Sequence, residues 1–284
     1  TNVIKPLVAV ITSIGFDHTA ILGDTLSAIA REKAGIIKEG IPVVTGVDQQ
    51  EALNVIEEKA RLVGAPLFRL GKEVKLQITA NDLAGSRATV EMAGRKYAEL
   101  QIRLLGQHQA RNAALAVAAY LLSREELPRT DRKQGGELEI IREGLAATWW
   151  PGRMELVNER PKVILDGAHN QAGMLELARF LAWNKDEFLQ LYLIFGVLGD
   201  KDVKGMLAAV CHQVDYLVLT KNEYFRARNP EDVARNVAGL FSKVVIIPSE
   251  KEAVARVMEL AGPEDLVCIT GSLYTVGEVR KIFM

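Results

Sequence analysis

The second half of the chain repeats one pattern five times, a short apolar run followed by a segment with helical periodicity. The apolar runs cover residues 163–165, 191–195, 216–219, 244–247 and 266–270. Strands that alternate with helices pair in parallel, because each helix carries the chain back across a face of the sheet. This half is predicted to be an open, mostly parallel, Rossmann-like sheet with helices on both faces.

The first half begins with the same alternation and then changes. Strands and helices are predicted in turn at residues 7–14, 24–40, 41–47 and 51–63. Residues 74–100 instead alternate apolar and polar side chains between turn signals, which is typical of an antiparallel meander. Helices are expected at residues 108–122 and 138–147, with a loop at 124–136 between them.

A new pattern starts at Pro151-Gly152. The expected organisation is therefore α/β, with a first domain of mixed sheet over residues 1–150 and a second, Rossmann-like domain over residues 151–284.

Composition narrows the class of partner. The 284 residues include 35 basic and 36 acidic side chains, and 49% are apolar. A nucleic-acid or membrane surface normally shows as a basic excess, so neither partner is expected. Cys211 and Cys268 are far apart, which favours a reducing compartment, the cytoplasm. Thr1 is followed almost at once by an apolar strand, as expected of an internal piece of a longer protein.

Polar residues cluster most tightly just after the predicted strand at 163–165. Asp166 ends the strand, Gly167 permits a sharp turn, and His169 and Asn170 begin a helix. Ligands of open α/β sheets bind beyond the carboxyl ends of the strands, so this segment is the strongest candidate site. The alternative is a simple helix cap at Asn170 with Asp166 in a turn.

Three weaker candidates lie in the first half. His18 follows a buried strand and is suited to bind a metal or a ligand, or else to hydrogen-bond locally. Lys33 lies among apolar helix residues, where a neutral amine is favoured, although a solvated charge is the simpler interpretation. Asn112 shares a helix face with His108, and asparagine is unfavourable inside helices, which indicates a ligand or a cap.

Two further loops open at the same predicted edge, Asp200-Lys201-Asp202 and Gly271-Ser272-Leu273-Tyr274. Taken singly, each is most simply an ordinary capped turn. The sequence contains no G-x-x-x-x-G-K-[ST], H-E-x-x-H or G-x-S-x-G, which argues against a self-contained phosphate loop, a zinc protease or an acyl hydrolase.

Taken together, these motifs resemble those of the folylpolyglutamate synthase/dihydrofolate synthase family of the Mur ligase superfamily. The resemblance covers essentially the whole chain. It rests on His18 and its preceding residues, on Glu32-Lys33-Ala34-Gly35-Ile36, on Gly106-x-His108-Gln109 with Asn112, on Pro151-Gly152-Arg153, on Asp166-Gly167-Ala168-His169-Asn170, and on Gly271-Ser272-Leu273-Tyr274. It implies that residues 1–150 are an ATPase-type central domain without its N-terminal phosphate loop.

The resemblance also implies a role for each candidate residue. His18 would bind Mg²⁺, and Lys33, carried as an N-carbamate, would supply an oxygen ligand and act in catalysis. Asn112, Arg153 and Asp166 would contact the base, phosphates and ribose of ATP. His169 would lie near the reacting groups, and Ser272 and Tyr274 near the incoming L-glutamate.

The implied reaction is ATP-dependent addition of L-glutamate to a folate through an acyl phosphate, by a monomer. Without a phosphate loop, slow turnover or none is expected of this chain alone. Two alternatives remain open, a Mur-type amino-acid ligase with another acyl substrate and a non-catalytic nucleotide- or folate-binding fragment.

Overall fold

The computed structural model describes residues 3–16, 23–126 and 136–284, which form two compact units. The N-terminal unit runs to Thr148, apart from two short segments. Those segments, Asp82–Ala84 and Leu104–Gly106, belong with Trp149–Met284 in the C-terminal unit.

The N-terminal unit begins with a three-stranded parallel sheet in chain order, β1 (Ala9–Ile11), β2 (Val43–Thr45) and β3 (Leu67–Arg69). Helices α1 (Leu26–Lys33) and α2 (Gln50–Leu62) connect the strands. Their apolar stripes, which include Ile29 and Ile56, pack on one face of this sheet together with Ile11. The hydroxyl of Thr25 caps α1 by accepting a hydrogen bond from the N–H of Ala28.

A second sheet of three strands, with β5 and β6 antiparallel, follows. Its strands are β4 (Val74–Asp82), β5 (Gly85–Met92) and β6 (Arg95–Ile102). Helices α3 (Gln107–Glu126) and α4 (Glu137–Ala147) complete the N-terminal unit. Val90, Leu115 and Val44 share one apolar cluster, so α3 covers the other face of the first sheet.

The C-terminal unit is built on a six-stranded sheet in the order β11-β10-β9-β12-β8-β7. Five strands are parallel, and β7 is antiparallel to β8 at one edge. The strands are β7 (Glu155–Glu159), β8 (Lys162–Leu165), β9 (Leu191–Phe195), β10 (Tyr216–Lys221), β11 (Val244–Ser249) and β12 (Leu266–Thr270). The helices are α5 (Gln171–Trp183), α6 (Val203–Ala208), α7 (Pro230–Asn236), α8 (Glu250–Leu260) and α9 (Leu273–Arg280).

The five helices are divided between the two faces of this sheet. Apolar residues of α5, α6 and α7, such as Phe180, Met206 and Val233, form one cluster. Those of α8 and α9, such as Val254 and Val276, form another on the opposite face. The chain therefore leaves β9 towards one face and neighbouring β12 towards the other. The carboxyl edge at such a divergence is the usual ligand site of open α/β sheets.

The α/β prediction is confirmed, and the five predicted parallel strands of the second half are all present. Two strands were not predicted, the three-residue β3 and the edge strand β7. Residues 124–126 continue α3, whereas a loop was predicted there, and residues 127–135 of that loop lie outside the described residues. Among the helices described, none is long and apolar enough to span a membrane.

Candidate active site

Asp166 joins two backbone turns at the carboxyl end of β8. Its Oδ2 accepts a hydrogen bond from the N–H of Met154, and its Oδ1 accepts one from the N–H of Ala168, both at 3.0 Å. Only 6% of the residue is exposed. The carboxylate therefore fixes the segment that carries Arg153 against the start of the loop after β8.

Arg153 lies against Gly167, where a side chain would not fit. A Cβ built at Gly167 would be 2.5 Å from Nη1 of Arg153. The N–H of Gly167 also donates to the carbonyl of Gly152 at 2.7 Å. Met154, the next residue, has a left-handed backbone with φ of 46°, held by the hydrogen bond to Asp166. The guanidinium is thus brought to the carboxyl edge of the sheet by backbone geometry.

His169 and Asn170 occupy the turn into α5. Nδ1 of His169 lies 2.8 Å from the carbonyl oxygen of Gly167. Because a carbonyl only accepts, Nδ1 carries the proton. Oδ1 of Asn170 accepts from the N–H of Gly173 at 2.8 Å and caps α5, which is the simpler of the two roles considered for it.

Ser272 and Tyr274 begin α9, beside the same turn. The N–H of Gly271 donates to the carbonyl of Ala168 at 3.0 Å, which joins the loops after β12 and β8. Ser272 is 2% exposed, and its hydroxyl caps α9 by accepting from the N–H of Tyr274 at 3.1 Å. The Tyr274 ring stacks on Tyr224 with centroids 4.2 Å apart, and a hydrogen bond between them raises the pKa of Tyr274.

The structure therefore brings five predicted residues to one edge of the C-terminal sheet, namely Arg153, Asp166, His169, Ser272 and Tyr274. The loop after β9 opens at that edge as well, and Asp202 caps α6 there by accepting from the N–H of Gly205 at 3.0 Å.

Two groups at this edge were not predicted from the sequence. Glu155 pairs with Arg280, 125 residues away, so no local pattern reveals the contact. Glu250 is buried at the start of α8, and this burial raises its pKa to about 7 despite a hydrogen bond from Thr275. A carboxylate in the first turn of a helix is ordinarily a solvated capping group, so the sequence gave no reason to expect burial.

Two other predicted residues belong to the N-terminal unit. Lys33 is exposed, which agrees with the simpler of its two interpretations, a solvated charge, rather than with a neutral amine among apolar neighbours. The reason is that α1 ends at Lys33, and its side chain leaves the helix towards solvent while Ile29 and Ala30 face the core. Asn112 is also exposed, and its Nδ2 donates to Oε1 of Gln109 at 3.1 Å.

His18 lies outside the described residues. Within the described ranges, no group of three or more His, Cys, Asp or Glu side chains is placed to hold a metal ion.

Comparison with protein families gives two matches that together cover most of the chain. The Mur ligase middle domain matches residues 1–120, and the Mur ligase glutamate ligase domain matches residues 152–273. The dihydrofolate synthase/folylpolyglutamate synthase of Bacillus subtilis is 37% identical over 287 residues, which is 99% of this chain and 64% of that protein. The chain thus spans less than two thirds of the length of this relative.

Solved structures agree with these matches. Folylpolyglutamate synthase of Mycobacterium tuberculosis complexed with ADP superposes with a TM-score of 0.87 at 32% identity, covering 99% of this chain and 64% of that one. The bifunctional enzyme of Yersinia pestis, complexed with AMPPNP and a Mn ion, has a TM-score of 0.82 at 30% identity and coverages of 99% and 62%. The chain therefore belongs to the folylpolyglutamate synthase/dihydrofolate synthase family of Mur ligases.

Proposed function

We propose that the chain takes part in the ATP-dependent ligation of L-glutamate to the carboxyl group of dihydropteroate or tetrahydrofolate, through an acyl phosphate. The observation that carries this proposal is the convergence of Arg153, Asp166 and His169 at the carboxyl edge of the C-terminal sheet. The relatives crystallised with ADP or AMPPNP support a nucleotide as one substrate.

In this proposal, Arg153 binds the phosphates of the nucleotide. A guanidinium forms charge-assisted hydrogen bonds with phosphate oxygens, and its position against Gly167 needs no rearrangement of the turn. Asp166 accepts hydrogen bonds from ribose hydroxyls, since a carboxylate oxygen can accept more than one hydrogen bond and the residue lies at the carboxyl end of β8. Asn112, on the N-terminal unit, contacts the base.

His169 is proposed to act on the amine of L-glutamate. An imidazole can take up the proton that the attacking amine releases, and the contact of Nδ1 with the carbonyl of Gly167 orients the ring. The amine attacks the acyl phosphate, a C–N bond forms, and phosphate leaves with the electrons of the C–O bond. Ser272 and Tyr274, at the start of α9, are proposed to position the glutamate.

Mg²⁺ is proposed as the metal, with His18 and an N-carbamate of Lys33 as ligands. The exposed amine of Lys33 is accessible to CO₂, and a carbamate oxygen suits a hard cation, so this residue fits the role. When bound, the ion would neutralise charge on phosphoryl oxygens.

One alternative has an observation in its favour. The sequence contains no G-x-x-x-x-G-K-[ST], the loop whose backbone N–H groups and lysine anchor the β- and γ-phosphates. A chain that binds nucleotide at Arg153 and Asp166 without turnover is consistent with this absence.

The test combines binding and turnover. ADP binding to the purified chain is measured by calorimetry for the native sequence, for R153A and for the control R160A, which removes an exposed arginine from the next turn. Product is then followed by mass spectrometry with ATP, Mg²⁺, L-glutamate and either dihydropteroate or tetrahydrofolate. Parallel reactions replace the folate by a cell-wall muramyl precursor.

We expect ADP binding that R153A weakens about tenfold and R160A leaves unchanged, since hydrogen bonds to charged groups contribute about 1.5–3 kcal/mol. Folate-dependent product supports the ligase, and binding without product supports the non-catalytic alternative. Ligation of the muramyl precursor but of neither folate would instead indicate a Mur-type ligase with another acyl substrate. No ADP binding at millimolar concentration would contradict both functions.

We further propose that the chain is a cytoplasmic monomer. Size-exclusion chromatography with light scattering would test the oligomeric state.

A further inference from the structure

Glu155 and Arg280 form a mostly buried ion pair behind the candidate site. Nε of Arg280 lies 2.9 Å from Oε2 and 3.1 Å from Oε1, and Nη2 lies 3.0 Å from Oε1. The two side chains are 8% and 20% exposed. Oε2 also accepts the N–H of Gly152 at 2.9 Å, and the Trp149 ring lies 5.1 Å from the guanidinium carbon. Each partner is therefore held from more than one side.

Helix α9, which ends at Arg280, also contacts the Arg153 turn through Val276 and the loop after β8 through Leu273. A Cβ at Gly152 would lie 2.7 Å from Cγ1 of Val276, and one at Gly167 would overlap the Leu273 side chain. Positions 273, 276 and 280 share one helix face, spaced three and four residues apart. One face of α9 therefore contacts both the Arg153 turn and the loop after β8.

The two ends of this contact carry different proposed roles. The turn presents Arg153, for which we propose phosphate binding. The N-terminus of α9 presents Ser272 and Tyr274, for which we propose glutamate binding. A displacement of the turn on binding nucleotide would be passed to α9 through the contacts at Val276 and Arg280, because closely packed elements transmit strain.

We propose that the Glu155–Arg280 pair is a positioning pair that couples the nucleotide subsite to the amino-acid subsite through α9. This inference rests on the proposed function for its two subsites. The pair touches none of the groups proposed to react. It acts by holding the Arg153 turn and α9 in one arrangement, so that binding at either subsite favours binding at the other.

The ionisation of Glu155 supports this role. Burial alone would raise its pKa, but hydrogen bonds from Arg280 and from the N–H of Gly152 outweigh burial, and the pKa is lowered. The pair is therefore charged at neutral pH. Its several N–H···O contacts also need the planar guanidinium fork, which lysine cannot reproduce.

Hydrogen exchange of the α9 backbone tests the coupling directly. The chain is compared with and without saturating ADP, and exchange is read by mass spectrometry in a peptide over residues 271–280. E155Q keeps an acceptor for Gly152 and removes the charge. R280K keeps the charge and removes the fork. The control E259Q removes an exposed glutamate that pairs with Arg256 on α8.

In the native chain and in E259Q, we expect ADP to slow exchange in α9 about fivefold or more, at the low end of typical coupling factors. In E155Q and R280K, the ADP-dependent change should fall below about twofold. A merely structural role would raise exchange equally with and without ADP, so the nucleotide-dependent ratio separates the two roles. Far-UV circular dichroism checks that each variant is folded.

Equal ADP-dependent slowing in E155Q, R280K and the native chain would overturn the coupling, as would no effect of ADP on α9 in the native chain. Calorimetry in the same samples separates this failure from that of the proposed function. If ADP binds but α9 does not respond, only the coupling is refuted. If ADP does not bind, both proposals fail.

Discussion

The carbonyl oxygen of Gly196 lies so close to Gly271 that a Cβ at Gly271 would be only 2.6 Å from it. Gly271 also has φ of +103°, a conformation that other residues rarely adopt. These two glycines end the neighbouring strands β9 and β12, so their contact sets how closely the two loops approach above the sheet.

Replacing Gly271 with alanine should destabilise the C-terminal unit by at least about 2 kcal/mol, because backbone strain and a steric overlap add. All three tryptophans lie in this unit, so urea unfolding followed by tryptophan fluorescence reports on it. The control is G277A in α9, where a Cβ meets nothing within 4 Å. It should stabilise by up to about 1 kcal/mol. Equal effects of the two variants would contradict this reasoning.

Asp166→Asn tests the carboxylate that joins the two turns. One amide oxygen replaces two charged acceptors, so either Met154 or Ala168 loses its partner, and the variant should lose about 1–3 kcal/mol in the same assay. The exposed Asp200→Asn, which breaks a surface pair with Arg226, should change stability by less than about 0.5 kcal/mol. A D166N variant as stable as the native chain would remove Asp166 from this structural role.

Glu250 predicts a pH dependence of stability. Its folded pKa, about 7, lies above the ordinary value of 4.5, so the folded state binds the proton more tightly. Its contribution is fully present below pH 4.5 and is lost as pH rises towards 7. The loss should be about 3 kcal/mol, since each pKa unit corresponds to 1.36 kcal/mol.

Urea midpoints measured from pH 5 to pH 8 check this prediction. Relative to E250Q, which cannot ionise, the native chain should lose stability as pH rises. The exposed control E259Q should follow the native profile. Thr275 faces the Glu250 carboxyl, with Glu223 and Glu278 nearby, and the two glutamates act in the same direction by disfavouring its charge. A constant difference between the native chain and E250Q across this range would contradict the raised pKa.

Asn170→Ser separates capping from ligand binding. Serine also accepts a hydrogen bond at a helix N-cap, so N170S should keep the stability of the native chain, whereas N170A should lose about 1 kcal/mol. If the amide also contacts a substrate, N170S will be stable but will bind ADP or glutamate more weakly. An unchanged affinity of N170S for ADP and glutamate would show that Asn170 acts only as the cap of α5.

The five parallel strands of the C-terminal sheet could be predicted from the sequence, because each contains a continuous apolar run. This run is largely buried in β8, β9, β10 and β12, whereas in β11 it is mostly exposed. The order of the strands could not be predicted, since the insertion of β12 between β8 and β9 depends on pairing between residues 104 and 75 positions apart, respectively. Strand β7 was missed because Glu155–Glu159 is polar at both ends and only half-buried at the edge of the sheet.

At the candidate site, the sequence predicted where a residue lies in the fold better than it predicted how exposed its side chain is. The motif from Asp166 to Asn170 does lie at the carboxyl edge of β8, as parallel topology requires. The two environments considered for Lys33 could not be separated by periodicity, because periodicity does not tell where a helix ends and its last side chain turns to solvent. The Glu155–Arg280 pair depends on tertiary packing, so its partners have no relation in the sequence.

Because α5, α6 and α7 lie on one face of the C-terminal sheet and α8 and α9 on the other, the segments after β9 and β12 part as they leave the carboxyl edge. Residues inserted into one segment would extend over a different helical layer from residues inserted into the other. Surface loops accept added residues more readily than packed elements do. Residues added beyond the contact between Gly196 and Gly271 would therefore lie over one helical layer and leave the packing of the other unchanged.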